Sequence, residues 1–509
     1  MRQFFIFSFL IILLYSCKTE YVQQSVSKTP CKTGMEKETL SLQQQLERIP
    51  EYSPDKTGVY IIEEGEDALL TRAWLSAKAE KTMDIQYFIF YADNVGTIAM
   101  DYILKAADRG VKVRLIIDDL LVDAHPNDLL ALNAHKNINI KIYNPNVNIG
   151  KHIGEKISNM VVDFRGINQR MHNKTFTVDG RVCITGGRNI EDAYFDYDRA
   201  YNYRDRDILL VGQAAEEVEK SFEEFWESDL SVDVDRLIKF SIPDFNIDFV
   251  YNRIHNYACN MDNFWPQIRH RINDVPYKYR DIIRSGKFLW VDDVTFISDI
   301  PGKNQTKKGL GGSGKTTEGL MALFNSAQES IYIQTPYLVT TDVGKTILKK
   351  TIDRGVSITI LTNSLCSTDN KEAFSGYQRN RKALLKMGVN IYEYKPDAAI
   401  RKKLIKADLQ RQIEYFPIFG LHSKSMVIDD SITVVSTFNL DPRSANLNTE
   451  CYVAVKSKEI TAFAKEIMIE ELQPENSWHT TLDSNPDHHA GMSKRFKTWI
   501  RRVVPKSIL

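Results

Sequence analysis

"AADRGVKVRLIIDD" (residues 106–119) and "TIDRGVSITILTNS" (351–364) are one pattern written twice. In each, a helix closes on Arg-Gly, where glycine accepts the left-handed turn that ends helices, and a β-branched apolar run follows as a strand. Upstream lie two further strand patterns, "MDIQYFIF" (83–90) and "IYIQTPYLV" (331–339), in which Gln86 matches Gln334. The corner Asp108-Arg109-Gly110-Val111 matches Asp353-Arg354-Gly355-Val356. Strand, helix and strand in that order imply a parallel or mixed sheet covered by helices, so the fold is α/β and duplicated.

The rest of the chain arranges itself around the repeat. Its 509 residues, 43% hydrophobic, are enough for two or more cores. We expect a first domain over 57–232, a second over 290–475, and a connecting segment over 233–289, rich in Tyr, Asn and Arg, that helps shape the substrate cleft. Before them, Arg2, the apolar run Phe4–Leu14 and the small Ser16 ahead of Cys17 read as an export signal of the bacterial lipoprotein type. The segment 1–17 would then be removed, Cys17 would carry lipid, and 18–56 would be a polar tether whose tail, Lys37 to Arg48, is helical. The carboxyl end, 476–509, is a basic tail whose last turns interleave Lys494, Arg495, Lys497, Arg501 and Arg502 with Phe496, Trp499, Ile500 and Val503. Such a helix suits an anionic bilayer surface and equally suits packing on the domain.

Charge and cysteine usage exclude several classes. The 66 basic and 66 acidic side chains cancel, so no global field draws the chain to nucleic acid, and any anion site must be local. Six cysteines show no C-x-x-C, and no histidine stands at metal-ligand spacing, so neither a metal nor another cofactor is expected. Cys183 and Cys451 lie in apolar strand-like runs, which favours buried thiols over a disulfide framework.

The chemistry resides in a second repeat, "HNKTFTVD" (172–179) and "HSKSMVID" (422–429). Each alternates apolar and polar residues into a turn, at Asp179-Gly180 or Asp429-Asp430, and a return strand follows, so each is a hairpin-like unit. A period of two puts His172 with Lys174, and His422 with Lys424, on one face. Asn189 and Asn439 end the return strands, each 17 residues after its histidine. Two imidazoles, two ammonium groups and two amides suit displacement at a phosphodiester. One neutral imidazole attacks phosphorus, the other exchanges protons with leaving and entering alcohols, and the cations stabilise the five-coordinate transition state.

With these residues the sequence resembles the phospholipase D superfamily, defined by two HxKxxxxD motifs. The runs "MHNKTFTVDG", "GGRNI" and "FNLDPRSANLNTE" make it most similar to bacterial cardiolipin synthases lacking amino-terminal membrane helices. The resemblance implies two α-β-α sandwich domains with the active site at their interface. It further implies His172 as nucleophile and His422 as general acid/base, Lys174, Lys424, Asn189 and Asn439 binding phosphate, and Glu450 with Asp207 as its repeat counterpart orienting the imidazoles. Asp179 and Asp429 complete the motif's catalytic set, although a turn-stabilising carboxylate is the other reading of each. Where the family has Gly-Ser, this chain has Ser436-Thr437 before Phe438-Asn439.

The implied reaction moves a phosphatidyl group between phospholipids, most simply cardiolipin synthesis from phosphatidylglycerol, with phosphatidylethanolamine as a further donor. A phospholipase D or phosphodiesterase hydrolase and a non-catalytic surface lipoprotein are the alternatives. A lipid anchor in the bacterial cell envelope favours a membrane-associated enzyme working on lipid, not nucleic acid, and outside the cytoplasm no nucleotide drives synthesis, which suits exchange of one phosphodiester for another. "GLGGSGKT" (309–316) fits a phosphate-binding loop letter for letter, yet the polar, Pro301-containing run before it lacks the strand such a loop needs, so a glycine-rich lead into a helix is preferred.

Overall fold

The structure, a computed structural model, describes residues 27–28, 39–150, 165–240, 245–264, 266–305, 311–405, 417–506 and 509. The export signal, Cys17 and about half of the tether lie outside the described residues. Of the tether's tail, Leu42–Leu46 is helical, opened by a Ser41–Gln44 capping box. Among the described residues no helix is long and apolar enough to cross a membrane.

In chain order the first half supplies β1 (Thr57–Ile62), β2 (Thr82–Tyr91), β3 (Lys112–Asp123), β4 (Ile138–Tyr143), β5 (Thr175–Val178), β6 (Val182–Gly186), β7 (Tyr201–Arg204), β8 (Asp207–Gly212), β9 (Ser231–Asp233) and β10 (Leu289–Val291). The second supplies β11 (Val294–Ser298), β12 (Ser330–Gln334), β13 (Ser357–Asn363), β14 (Asn390–Tyr394), β15 (Ile418–Leu421), β16 (Ser425–Ile428), β17 (Ile432–Ser436), β18 (Cys451–Lys456) and β19 (Ser477–Thr480). The sheet orders are β10-β1-β8-β6-β5-β2-β3-β4-β9 and β11-β18-β17-β16-β12-β13-β14-β19. Without β10 the two orders are superposable strand for strand, so the duplication read from two corners extends across both sheets. β7 and β15, one from each half, pair in parallel as a small sheet of their own.

Within each half the parallel pairs are β2–β3–β4 and β12–β13–β14, joined by crossover helices. Helix Asn94–Asp108 starts on the Asp93 side chain and ends before Gly110 at φ +101°, and helix Asp342–Asp353 starts on Thr341 and ends before Gly355 at φ +92°.

Each half has an apolar core under its outer helices. A third core is shared. It joins Val59, Ile208 and Leu210 of the first sheet to Val427, Val435 and Val453 of the second, with helices Gln213–Trp226 and Lys458–Glu471 contributing from opposite halves.

The structure moves two expected boundaries. Residues Leu289–Val291 form an edge strand of the first sheet, and Ser477–Thr480, assigned to the tail, form the edge of the second. The connecting segment is a helical layer, with Val250, Ile254 and Ile282 in the same core as Trp74. Cys183 and Cys451 are buried free thiols, whereas Cys259, at the end of a helix in that layer and not in a strand, is disulfide-bonded.

Candidate active site

Each HxK segment is the extended lead-in to a strand, because β5 starts at Thr175 and β16 at Ser425, one residue past the lysines. Backbone bonds then clamp each lead-in onto the other half. The His172 amide donates to the Thr449 carbonyl at 2.9 Å, and the His422 amide to Arg204 at 2.8 Å. The side chains cross in the same way. His172 Nδ1 hydrogen-bonds Glu450 Oε2 at 2.7 Å, and His422 Nδ1 hydrogen-bonds Asp205 Oδ2 at 2.6 Å. Both carboxylates are fully buried and both histidines nearly so. A carboxylate on Nδ1 fixes the tautomer that leaves Nε2 as the reactive nitrogen.

Asp207 does not take the role expected of it. Its carboxylate is 2.9 Å from Arg72 and 3.5 Å from Arg188, and the residue against His422 is Asp205. Strand register explains the difference. Gly186 faces Asp207 and Ser436 faces Tyr452, so two residues back from each partner come Asp205 and Glu450. Asp205 and Asp207 share a face at a period of two, which is why composition alone did not separate them.

The departure at Thr437 also has a structural role. Its hydroxyl donates to Glu450 Oε2 at 2.5 Å. At the matching Gly187 a Cβ would come within 2.0 Å of Asp205 Oδ1, so the first half gives its carboxylate space where the second gives it a hydrogen bond. Glu450 is held from behind as well: Asp299 accepts from its amide at 3.1 Å and from the Thr316 hydroxyl at 2.7 Å. The described end of the phosphate-loop look-alike thus opens helix Lys315–Ser326 and serves this support.

The two lysines are buried beside the rings. Lys174 Nζ donates to the His172 carbonyl at 2.8 Å, and Lys424 Nζ lies 2.9 and 3.0 Å from the two ring nitrogens of His422. Burial lowers both imidazoles to about 4, Lys174 adding to the effect at His172 against Glu450, and Lys424 adding at His422 against Asp205. Burial likewise lowers Lys174 to about 8 and Lys424 to about 7. It pushes the carboxylates the other way, yet His422 and Lys424 hold Asp205, and His172 and Lys174 hold Glu450, below the ordinary range. A chain of zero net charge thus gathers two lysines and two imidazoles, all pushed towards their neutral forms by burial, in one site.

The amides are nearby. Asn189 Oδ1 accepts from the Ile89 amide at 3.1 Å, and its Nδ2 donates to the Tyr194 hydroxyl at 2.9 Å. Asn439 is buried, and its Oδ1 has no hydrogen-bond partner among the described residues. Tyr194, which the sequence did not single out, places its hydroxyl 3.4 Å from His422 Nε2. The position five residues after Asn439 is Ser444, so the repeat carried no signal for this tyrosine.

Asp179 and Asp429 lie away from this cluster. Five residues of extended chain separate Lys174 from Asp179, about 16 Å at the usual rise. Asp179 accepts from the amides of Glu80, Lys81 and Thr82 at 3.0, 2.6 and 2.9 Å, and Asp429 from Gln328, Glu329 and Ser330 at 2.7, 2.8 and 3.0 Å. Both have positive φ, +52° and +49°, at their turns. Of their two readings the geometry selects the structural one: each staples a hairpin to the start of the neighbouring strand. Among the described residues no group of three or more His, Cys, Asp or Glu side chains is placed to hold a metal ion.

Known proteins resemble this chain. The family model described as "Cardiolipin synthase, PLD-like domain" matches residues 75–226 and again 320–471. Over 432 residues the chain is 31% identical to cardiolipin synthase C of Escherichia coli K12, covering 84% of this chain and 88% of that protein. It is 33% identical over 438 residues to an uncharacterized protein of Helicobacter pylori J99, covering 84% of this chain and 82% of that one. The phosphatidylserine synthase of Haemophilus influenzae has the same fold, with a TM-score of 0.55 at 13% identity over 89% of this chain and 95% of that one. Two matched segments, each containing one HxK segment and the carboxylate that serves the other's histidine, place this chain in the cardiolipin synthase family of phospholipase D-like proteins.

Proposed function

We propose that this protein transfers phosphatidyl groups between phospholipids through a phosphohistidine, making cardiolipin from phosphatidylglycerol. The observation that carries the reading is the crossed pair of imidazole–carboxylate contacts, His172–Glu450 and His422–Asp205, beside two buried lysines. His172 is the nucleophile in this reading. Among the described residues no side chain hydrogen-bonds its Nε2, whereas Lys424 and Tyr194 both approach that of His422. His172 Nε2 attacks the donor phosphorus and the P–O bond to the leaving alcohol breaks, with His422 supplying the proton. The phosphodiester's own negative charge, set among Lys174, Lys424 and the two asparagines, offsets the burial that keeps His422 neutral at rest. The acceptor's hydroxyl then returns its proton to His422 as its oxygen displaces His172.

A lipid anchor at Cys17, with catalytic domains outside the cytoplasm, belongs to the same proposal. It is supported by the leader sequence and by a reaction that needs no nucleotide. The test is incubation of the purified protein with phosphatidylglycerol, alone and with phosphatidylethanolamine, followed by mass analysis of the lipids. Cardiolipin with release of glycerol or ethanolamine is the expected result. Phosphatidic acid as sole product would assign the protein to the hydrolases, and no lipid change would remove it from the enzymes of this class.

A further inference from the structure

Nine large apolar side chains are exposed among the described residues, and five of them, Met492, Phe496, Trp499, Ile500 and Val503, fall within twelve residues. Met492 and Val503 are each 83% exposed, Phe496 and Trp499 each 60%. They belong to helix Met492–Ile500 and the single turn Arg501–Val503 that continues it. At about 100° per residue, Met492, Phe496, Trp499 and Val503 fall on one stripe, with Ile500 at its margin. Phe496 and Trp499 stack at 6.1 Å between ring centres.

The opposite face of the helix is occupied. Thr498 is buried, Lys494 Nζ donates to the carbonyls of Cys366 and Thr368 at 3.1 and 2.9 Å, and the Arg501 guanidinium pairs with Glu372. The outward stripe is therefore no by-product of a detached helix; a docked helix displays it. On either side of the stripe stand exposed Arg495 and Arg502, and exposed Lys497. From Gly491 to Leu509 the sequence has six basic residues and no acidic one, in a chain whose total charge is zero.

We propose that this face is a second membrane contact, in which the aromatic stripe enters the headgroup layer of an anionic bilayer and the flanking arginines and lysine meet its phosphates. Charge complementarity selects the occupant: the strip is apolar along its middle and basic at its flanks with no acidic residue, and an acidic lipid surface offers a continuous layer matching both. Tryptophan and phenylalanine at its centre are suited to the interfacial layer. The contact also has a direction. The loop gripped by Lys494 carries Asp369, which accepts from the Tyr203 and Tyr337 hydroxyls at 3.1 and 2.9 Å, and the Tyr203 ring is 4.9 Å from that of His422. One short loop therefore ties the docking helix to the tyrosine rim beside the active site, so that seating the helix turns the rim toward the lipid. The inference deepens the reading of this site as one that works on phospholipid.

The test uses the full chain with vesicles of phosphatidylglycerol and phosphatidylcholine carrying brominated acyl chains. The emission due to Trp499, obtained by difference against Trp499→Phe, is expected to fall about twofold or more, and to recover when phosphatidylglycerol is omitted or salt is raised. The Trp290 component, obtained the same way with Trp290→Phe, stays unquenched. A Trp499 component untouched by bromine overturns the proposal, and so does one already shielded without vesicles in a self-associated chain. The double variant Phe496→Glu, Trp499→Glu should lose cardiolipin formation on vesicles severalfold while keeping it on detergent-dispersed phosphatidylglycerol. If the parent chain makes no product on either, the reaction reading fails and the quenching experiment still decides the surface.

Discussion

The imidazole of His172 is held by Glu450, 278 residues further along the chain and in the other half of the molecule, at 2.7 Å. His422 leans on Asp205 in the mirror sense. Neither half contains a complete imidazole–carboxylate unit, so the repeat became one catalytic device by exchanging partners.

Replacing either histidine by alanine should reduce transfer by about 10²–10⁴-fold or more, the range for removing one acid–base group. The two variants should differ in what accumulates. His422→Ala given a short-chain fluorescent phosphatidylglycerol should trap label on His172, acid-labile and stable in base. Label on neither residue in either variant would refute the covalent route.

The pH profile of kcat/KM, which reports the free enzyme, should be bell-shaped. On the acid side it should rise as the His172 imidazole, lowered to about 4, loses its proton and becomes nucleophilic. On the alkaline side it should fall as Lys424, at about 7, and then Lys174, at about 8, lose the charge that binds phosphate. A profile still rising through pH 9 would contradict charged lysines in the site.

Asp205→Asn and Asp207→Asn separate two neighbours with different work. Asp205→Asn should lower kcat about 10–100-fold with little change in unfolding midpoint, because His422 loses the acceptor that fixes its tautomer. Asp207→Asn leaves buried Arg72 without its ionic partner, costing about 3–5 kcal/mol of stability, visible in denaturant unfolding before any kinetic change at low temperature. Reversed outcomes would restore Asp207 as the orienting residue.

Asp179→Ala or Asp429→Ala should cost stability and not chemistry. Each removes three amide hydrogen bonds, partly open to solvent, and leaves alanine at a positive φ, together about 1–3 kcal/mol. KM for phosphatidylglycerol measured well below the unfolding midpoint should not move.

Tyr194→Phe deletes the hydroxyl between Asn189 and His422 Nε2. Losing a neutral hydrogen bond of roughly 0.5–1.5 kcal/mol predicts about a 2–12-fold fall in kcat/KM. If the hydroxyl only fills space, the rate and its pH dependence should match those of the parent chain.

What the sequence made legible was local. His172, Lys174 and Asn189 keep their spacing with His422, Lys424 and Asn439 because each set belongs to one hairpin, whose geometry a single stretch of chain determines. Asp205 was missed because choosing it over Asp207 requires the register of β8 on β6, a pairing set by contacts outside either strand. Tyr194 has no counterpart in the other half, so duplication could not point to it. β10 was assigned to the wrong side of a boundary because three residues carry no periodicity, and only their pairing with β1 decides where they belong. The overlap of the look-alike phosphate loop with the support of Glu450 depended on Asp299, ten residues before the motif.

Only Asp292 and Asp293 separate Val291, paired in the first sheet, from Val294, paired in the second. The three residue steps from Val291 to Val294 reach no further than about 11 Å, and the apolar layer shared by the two sheets closes the same seam from within. The molecule has a weld where many two-part enzymes have a hinge. It fixes the spacing of the two imidazoles, so the phosphodiester of the proposed reaction has to fit walls that are already set instead of drawing them together.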